Sequence, residues 1–181
     1  MPVRNGNNPG NNNNNSQQMR PPQQSYGRAR VNHIGVQEAQ NAQGVVLDEF
    51  LVSSALATIL FDSGASHSFI SSSFVEKHNI PTVLLKLPLI TRTPGADIQC
   101  HLGCSRVRIN LSGVEFLVDL VVLKSSGIDV ILGMDWLSQH DGHIGCADKV
   151  VYLTNPTEST SHATLREVDQ IQWFLAWKLG P

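Results

Sequence analysis

Ala57-Thr58-Ile59-Leu60-Phe61-Asp62-Ser63-Gly64-Ala65-Ser66 is the stretch on which the fold turns: an apolar run that ends in an acid, a hydroxyl and a glycine. A run that is apolar throughout, as opposed to alternating, reads as a strand buried on both faces. A carboxylate at the end of such a strand is costly to bury without partners. Gly64 allows a sharp turn and close approach by another segment, and the Ser63 hydroxyl can tie that approach by hydrogen bonding. Asp, Ser and Gly are also common turn formers, so the tripeptide alone fits a plain strand-to-turn transition. A second apolar run ending in glycine, Ile128-Asp129-Val130-Ile131-Leu132-Gly133 followed by Met134-Asp135-Trp136-Leu137, shifts the balance towards a site.

Working outward, Val45 to Val52 and Ala55 to Phe61 flank Ser53-Ser54 and predict a hairpin. Ser71 to His78 predicts a short helix, with Ser73 and Glu76 at capping-box spacing and Asn79-Ile80-Pro81 as its stop. Next come an extended stretch through Leu89, a turn at Pro94-Gly95, and strands over Arg106 to Leu111 and Val114 to Leu123 joined by Ser112-Gly113. Val107, Ile109 and Leu111 alternate with Arg108 and Asn110, which gives that strand one buried and one wet face. Asp129 to Leu132 predicts a further strand, Met134 to His140 a short helix and Val150 to Leu153 a last strand. Many short strands separated by turn residues predict an all-β domain over residues 44–155.

Upstream, residues 1–43 are rich in Asn, Gln and Pro, including Asn11 to Asn15 and Pro21-Pro22, and predict a disordered linker. Arg4, Arg20, Arg28 and Arg30 leave room for a weak nucleic-acid contact by this tail. Downstream, residues 156–181 form a tail in which Leu165, Val168, Ile171 and Leu175 have helical spacing, consistent with a short helix or with a truncated frame.

The whole chain of 181 residues is 41% apolar, enough for one compact core, and its net charge of −2 marks neither a polybasic nucleic-acid surface nor an acidic tail. Cys100, Cys104 and Cys146 are an odd set without paired metal-type spacing, which argues against a disulfide framework and suits a reducing compartment. No apolar run reaches the roughly 18 residues of a membrane span, and Met1 to Arg20 lacks the apolar stretch of a signal peptide, so a soluble, intracellular protein without membrane contact is expected. Gly64 to Ser68 is a poor match to a nucleophile elbow, since Ser68 stands where the closing glycine belongs. His140, His143 and Cys146 sit among Gly142 and Gly145 and read as a turn, so no metal or other cofactor is expected.

Taken in order, Phe61 to Ile70, His78-Asn79-Ile80-Pro81 and Gly127 to Leu137 resemble the retropepsin-like aspartic proteases of gypsy-type LTR retroelements, particularly those of plants. The resemblance runs from Val45 to about Leu153. It implies an all-β, closed-barrel-like fold with one or two short helices. In that fold Asp62 is catalytic, Ser63, Gly64 and Ala65 support the active-site loop, and the strand ending Ile131-Leu132-Gly133 threads it. By position, the substrate flap has its tip at Thr93-Pro94-Gly95-Ala96.

The chemistry so implied is aspartic endopeptidase action on a retroelement polyprotein. Two carboxylates held within about 3 Å share one proton and titrate as a pair. The sequence contains one Asp-Ser/Thr-Gly; Asp97, Asp119, Asp129, Asp135 and Asp141 lack the following hydroxyl and glycine. The second carboxylate must then come from another copy of Asp62, so a two-fold homodimer is expected, acting on an extended peptide. Val45 to Leu51 and Val150 to Leu153 are candidate dimer contacts, because edge strands seek partners. The alternative is a catalytically inactive relic or a domesticated protein-binding module with the same fold.

Overall fold

The computed structural model describes residues 26–154 apart from 146 and 148, together with the backbone of 162–166. The predicted hairpin is β2 (Val45–Val52) and β3 (Ala55–Asp62), turned by Ser53 and Ser54, both at positive φ (48° and 70°). Two left-handed residues make the turn whose twist matches the strands on either side. The second predicted hairpin is likewise β6 (Asp97–Leu111) and β7 (Val114–Leu123), turned by Ser112 and Gly113 at positive φ, with the Asn110 side chain accepting from Gly113 N. β4 (Phe69–Ser71), β5 (Val83–Arg92) and β8 (Val130–Leu132) complete the main strands.

These strands close on themselves. Hydrogen-bonded neighbours run β6, β2, β3, β8, β4, β7 and return to β6, so the sheet forms a small barrel. The parallel pair β3–β8 places the two apolar runs of the sequence side by side, with Leu60 opposite Ile131 and Phe61 opposite Leu132, and β4–β7 is a second parallel pair. The barrel interior holds Phe50, Ile59, Phe61, Ile109, Phe116, Val130, Leu132 and Trp136. The alternate residues Leu60 and Ile131 point the other way, into a second buried cluster with Phe69, Ala65, Leu89 and Leu123. This is why β3 and β8 read as continuous apolar runs: both of their faces are covered.

The helices are short. α2 (Ser72–His78) is capped by Ser71, whose Oγ accepts from Phe74 N at 3.0 Å, and ends at Asn79 in the left-handed region (φ 51°). The cap is therefore Ser71 and not the expected Ser73, because Ser71 is the last extended residue and its side chain faces the free N–H groups of the first turn. α3 (Met134–Gln139) follows β8 directly. Among the described residues no helix is long and apolar enough to cross a membrane.

Two departures from the sequence reading matter. First, the fold begins well before residue 44. β1 (Gly27–Arg30) pairs in parallel with residues 89–92 of β5, and α1 (Val36–Gln40) lies between β1 and β2. Ala29, Val31 and Ala39 are buried in the second cluster, so apolar contact on the open face of β3 and β8 outweighs the polar composition of this segment. Second, β11 (His162–Arg166) is a strand paired with β10 (Val150–Thr154), where Leu165 was expected on a helix; the remainder of that expected helix lies outside the described residues. With β9 (His143–Gly145) on its other side, β10 is paired on both edges over Val150–Tyr152 and lacks the open edge on which its reading as a dimer contact rested. β2 is paired by β3 along its whole length but by β6 only at Leu51 and Val52, so β6 does not cover the other side of Val45 to Phe50.

Candidate active site

Asp62 ends β3 and its side chain is 2% exposed. Its Oδ1 accepts from Gly64 N at 2.7 Å, and Ala65 N donates to the Asp62 carbonyl at 3.1 Å, so the chain folds back in a tight turn around the carboxylate. The other oxygen, Oδ2, faces His33 Nδ1 at 3.4 Å, a long contact. Ser63 is exposed, and its hydroxyl reaches the Gly44 carbonyl at 3.4 Å.

The loop after Asp62 is held from beneath. Ala65 O accepts from Met134 N at 2.8 Å, and Ser68 Oγ accepts from Gly133 N at 3.1 Å. A Cβ on Gly133 would collide with the carbonyl oxygens of His67 and Ala65, so this crossing requires glycine for room and not for its backbone angles. Asp135 completes the seat: it accepts from Ser68 N at 3.0 Å and from Ser68 Oγ at 2.6 Å. Asp129 performs a similar service for β3, accepting from Thr58 N at 2.9 Å while Ser71 N donates to its carbonyl at 2.8 Å. Two acids that the sequence sets aside for want of a hydroxyl and a glycine are thus structural supports, Asp135 of the loop and Asp129 of the strand that leads into it.

The structure brings Asp62, Ser63, Gly64 and Ala65 onto the same loop and sets Ile131, Leu132 and Gly133 directly against it. Pro94 and Gly95 stand apart from them, exposed at the tip of the β5–β6 hairpin, where Thr93 Oγ1 donates to the Ala96 carbonyl at 2.6 Å and tightens the turn. Cys100 and Cys104 are buried and burial pushes both thiols up, which keeps them protonated and unreactive. Cys146 lies outside the described residues. Among the described residues no three His, Cys, Asp or Glu side chains are placed to share a metal ion.

One group of neighbours is absent from the sequence reading. Arg30, Asn32 and His33 come from the stretch read as linker. Arg30 Nε donates to the Gly64 carbonyl at 3.2 Å, Asn32 Nδ2 lies against Gly64, and His33 covers Asp62. The alternation Arg28-Ala29-Arg30-Val31 is the one local signal for this strand, and it is too short to stand out from the polar sequence before it.

A family model described as retroviral aspartyl protease matches residues 25–159, and its start coincides with β1 rather than β2. Among solved structures, the chain is similar to the retroviral protease-like domain of Ddi1 from Leishmania major, at a TM-score of 0.48 and 18% identity over 69% of this chain and 96% of that one. It is also similar to EIAV protease complexed with the inhibitor HBY-793, at a TM-score of 0.43 and 16% identity over 55% of this chain and 88% of that one. No curated protein matches the sequence.

Proposed function

From the premise that the chain belongs to the retroviral aspartyl protease family, whose model spans three quarters of it, we propose that it is an aspartic endopeptidase with Asp62 as its catalytic acid. The observation that carries this reading is the expense of the Asp62 seat. A buried carboxylate, a glycine with no room for a side chain and a Ser68–Asp135 lock all serve to fix one loop. A plain turn needs none of them.

One Asp62 is half of the required chemistry. A second copy, related by a two-fold axis, brings its own Asp62 alongside, and the exposed Ser63 hydroxyls are available to tie the two loops together. The pair then holds one proton. Its ionised oxygen takes a proton from a bound water as that water attacks the scissile carbonyl, and its protonated oxygen hydrogen-bonds to the oxyanion that forms. Collapse of the tetrahedral intermediate breaks the C–N bond as a proton passes from the dyad to the leaving nitrogen. The peptide lies extended between Pro94-Gly95 at the hairpin tip and the loop floor, its backbone pairing with a strand edge. No cofactor takes part. The sequence motifs favour a gypsy-type retroelement polyprotein of plant type as the substrate.

A second reading, a binding module without activity, is favoured by one observation: Asp62 is closed off by the chain itself. Peptide cleavage by the full chain and by its Asp62→Asn variant, with sedimentation alongside, separates the two. The protease reading expects a dimer whose cleavage of peptides is lost by at least about a thousandfold in the variant. Equal cleavage by both chains removes it, as does a folded monomer that stays inactive at high concentration once the segment over Asp62 has been displaced.

A further inference from the structure

The strand that closes Asp62 behaves, contact by contact, like a bound peptide. Gly27–Arg30 adds in parallel to the outer edge of β5, and Val31 N continues the ladder by donating to the Arg92 carbonyl at 3.0 Å. On its opposite side the same strand meets the active-site loop: Ser66 N donates to the Arg30 carbonyl at 2.9 Å and Arg30 N to Ser66 Oγ at 2.8 Å. Its backbone is therefore paired on both sides, between the hairpin arm and the loop that carries Asp62. Alternate side chains, Ala29 and Val31, enter the cluster formed by Leu60, Ile131 and Leu89, while Arg30 between them reaches the Gly64 carbonyl. Pairing on a strand edge with alternate residues in pockets is how extended peptides are recognised.

We propose that the groove between β5 and the Asp62 loop is a site for extended peptides of the pattern small–basic–aliphatic, and that Gly27–His33 is its resident ligand, bound in cis. This rests on the reading of the groove as the peptide site of a protease and adds to it that the chain inhibits itself. With Oδ2 of Asp62 under His33 and Gly64 under Asn32, neither a second carboxylate nor a water can reach the acid. Displacement of the strand must come before either. The polar contacts that hold it are replaceable, since β5 carbonyls and Ser66 would meet the same backbone groups on any incoming peptide, and Gly64 the same side chain on one with a basic residue at that position. A cleft of about 440 Å³ alongside, lined in part by Arg28, Arg30, Ser66, Ile90, Arg92 and Asp97, gives an incoming strand a place to start.

The test uses a fluorescent peptide of sequence Tyr26-Gly27-Arg28-Ala29-Arg30-Val31-Asn32-His33-Ile34, offered in trans to full-length chains that all carry Asp62→Asn. Occupancy in cis lowers apparent affinity by the fraction of time that the groove is open. A chain that also carries Val31→Asp, which puts a charge in the apolar cluster and expels the strand, should bind the peptide at least about tenfold tighter. An Arg30→Ala, His33→Ala double variant should lie between the two. Because Val31→Asp can also unfold the protein, hydrogen exchange on the unsubstituted chain asks the same question without it. Excess peptide should leave the amides of residues 27–31 unprotected while those of Ile90–Arg92 stay protected. Equal affinity in all the folded chains, or peptide bound with residues 27–31 still protected, overturns the proposal. No arm requires bond cleavage, so failure here is distinct from failure of the protease reading.

Discussion

The loop that carries Asp62 and the strand that covers it touch the same carboxylate but are held in opposite ways. The loop sits on contacts that only this chain can make: Gly133 under the carbonyls of Ala65 and His67, and Ser68 gripped by Asp135. The covering strand is held by ladder hydrogen bonds to β5, a pair to Ser66, a long His33 contact and two small apolar side chains. What fixes the loop is particular to its residues, whereas what fixes the cover is generic to extended peptides. A permanent acid beneath a replaceable strand is the arrangement expected of a site that is built first and opened later.

The contrast can be broken most severely from beneath. Gly133→Ala forces a methyl group into backbone that cannot retreat, and a loss of about 3 kcal/mol, at the upper end for overpacking, is expected by denaturant titration, with loss of any peptide cleavage. A loss below about 1 kcal/mol would show that the crossing is looser than described. Asp135→Ala removes both acceptors of Ser68 and should cost about 1 to 2 kcal/mol, less than a fully buried pair because Asp135 itself is exposed. It is expected to lower kcat more than it raises KM, since the loop shifts while the β5 edge stays intact.

Of these two supports, the sequence discloses Gly133 and hides Asp135. The Asp62–Gly133 crossing follows only from the family resemblance, whereas the two hairpins, α2 and α3 are legible because local turn chemistry and apolar spacing mark them within a few residues. Asp135 and Ser68 are not, because their bond spans sixty-seven residues and nothing local distinguishes them from a helix-start acid and a loop serine. The cover is hidden for the same reason. Ala29 and Val31 form a strand because β5, some sixty residues on, offers an edge, and the Asn- and Gln-rich stretch before them dominates any composition window. β11 shows the converse error, since Leu165 fits helical spacing but is drawn into a strand by β10.

The smallest expected effect lies below the loop, where His140 packs against Trp136 and Phe116 at ring separations of 4.6 Å and 4.9 Å. Burial pushes its pKa below the ordinary value of 6.5. The unfolded chain therefore binds this proton more readily than the folded one. Its contribution to stability is full above about pH 6.5 and is lost as the pH falls from there through the folded value. His140→Gln should flatten Tm against pH between pH 7 and 5 by a few degrees at most, and a steeper profile in the variant would contradict the assignment.

The central claim, that Asp62 is half of a catalytic pair, is tested most directly by mixing subunits at concentrations where the chain is dimeric. An equal amount of Asp62→Asn chain added to a fixed amount of unsubstituted chain should draw active subunits into dead heterodimers. The cleavage rate should then fall to about half, and further as more is added. A rate that stays constant on addition would mean that each chain works alone, and that the site is not the shared pair described.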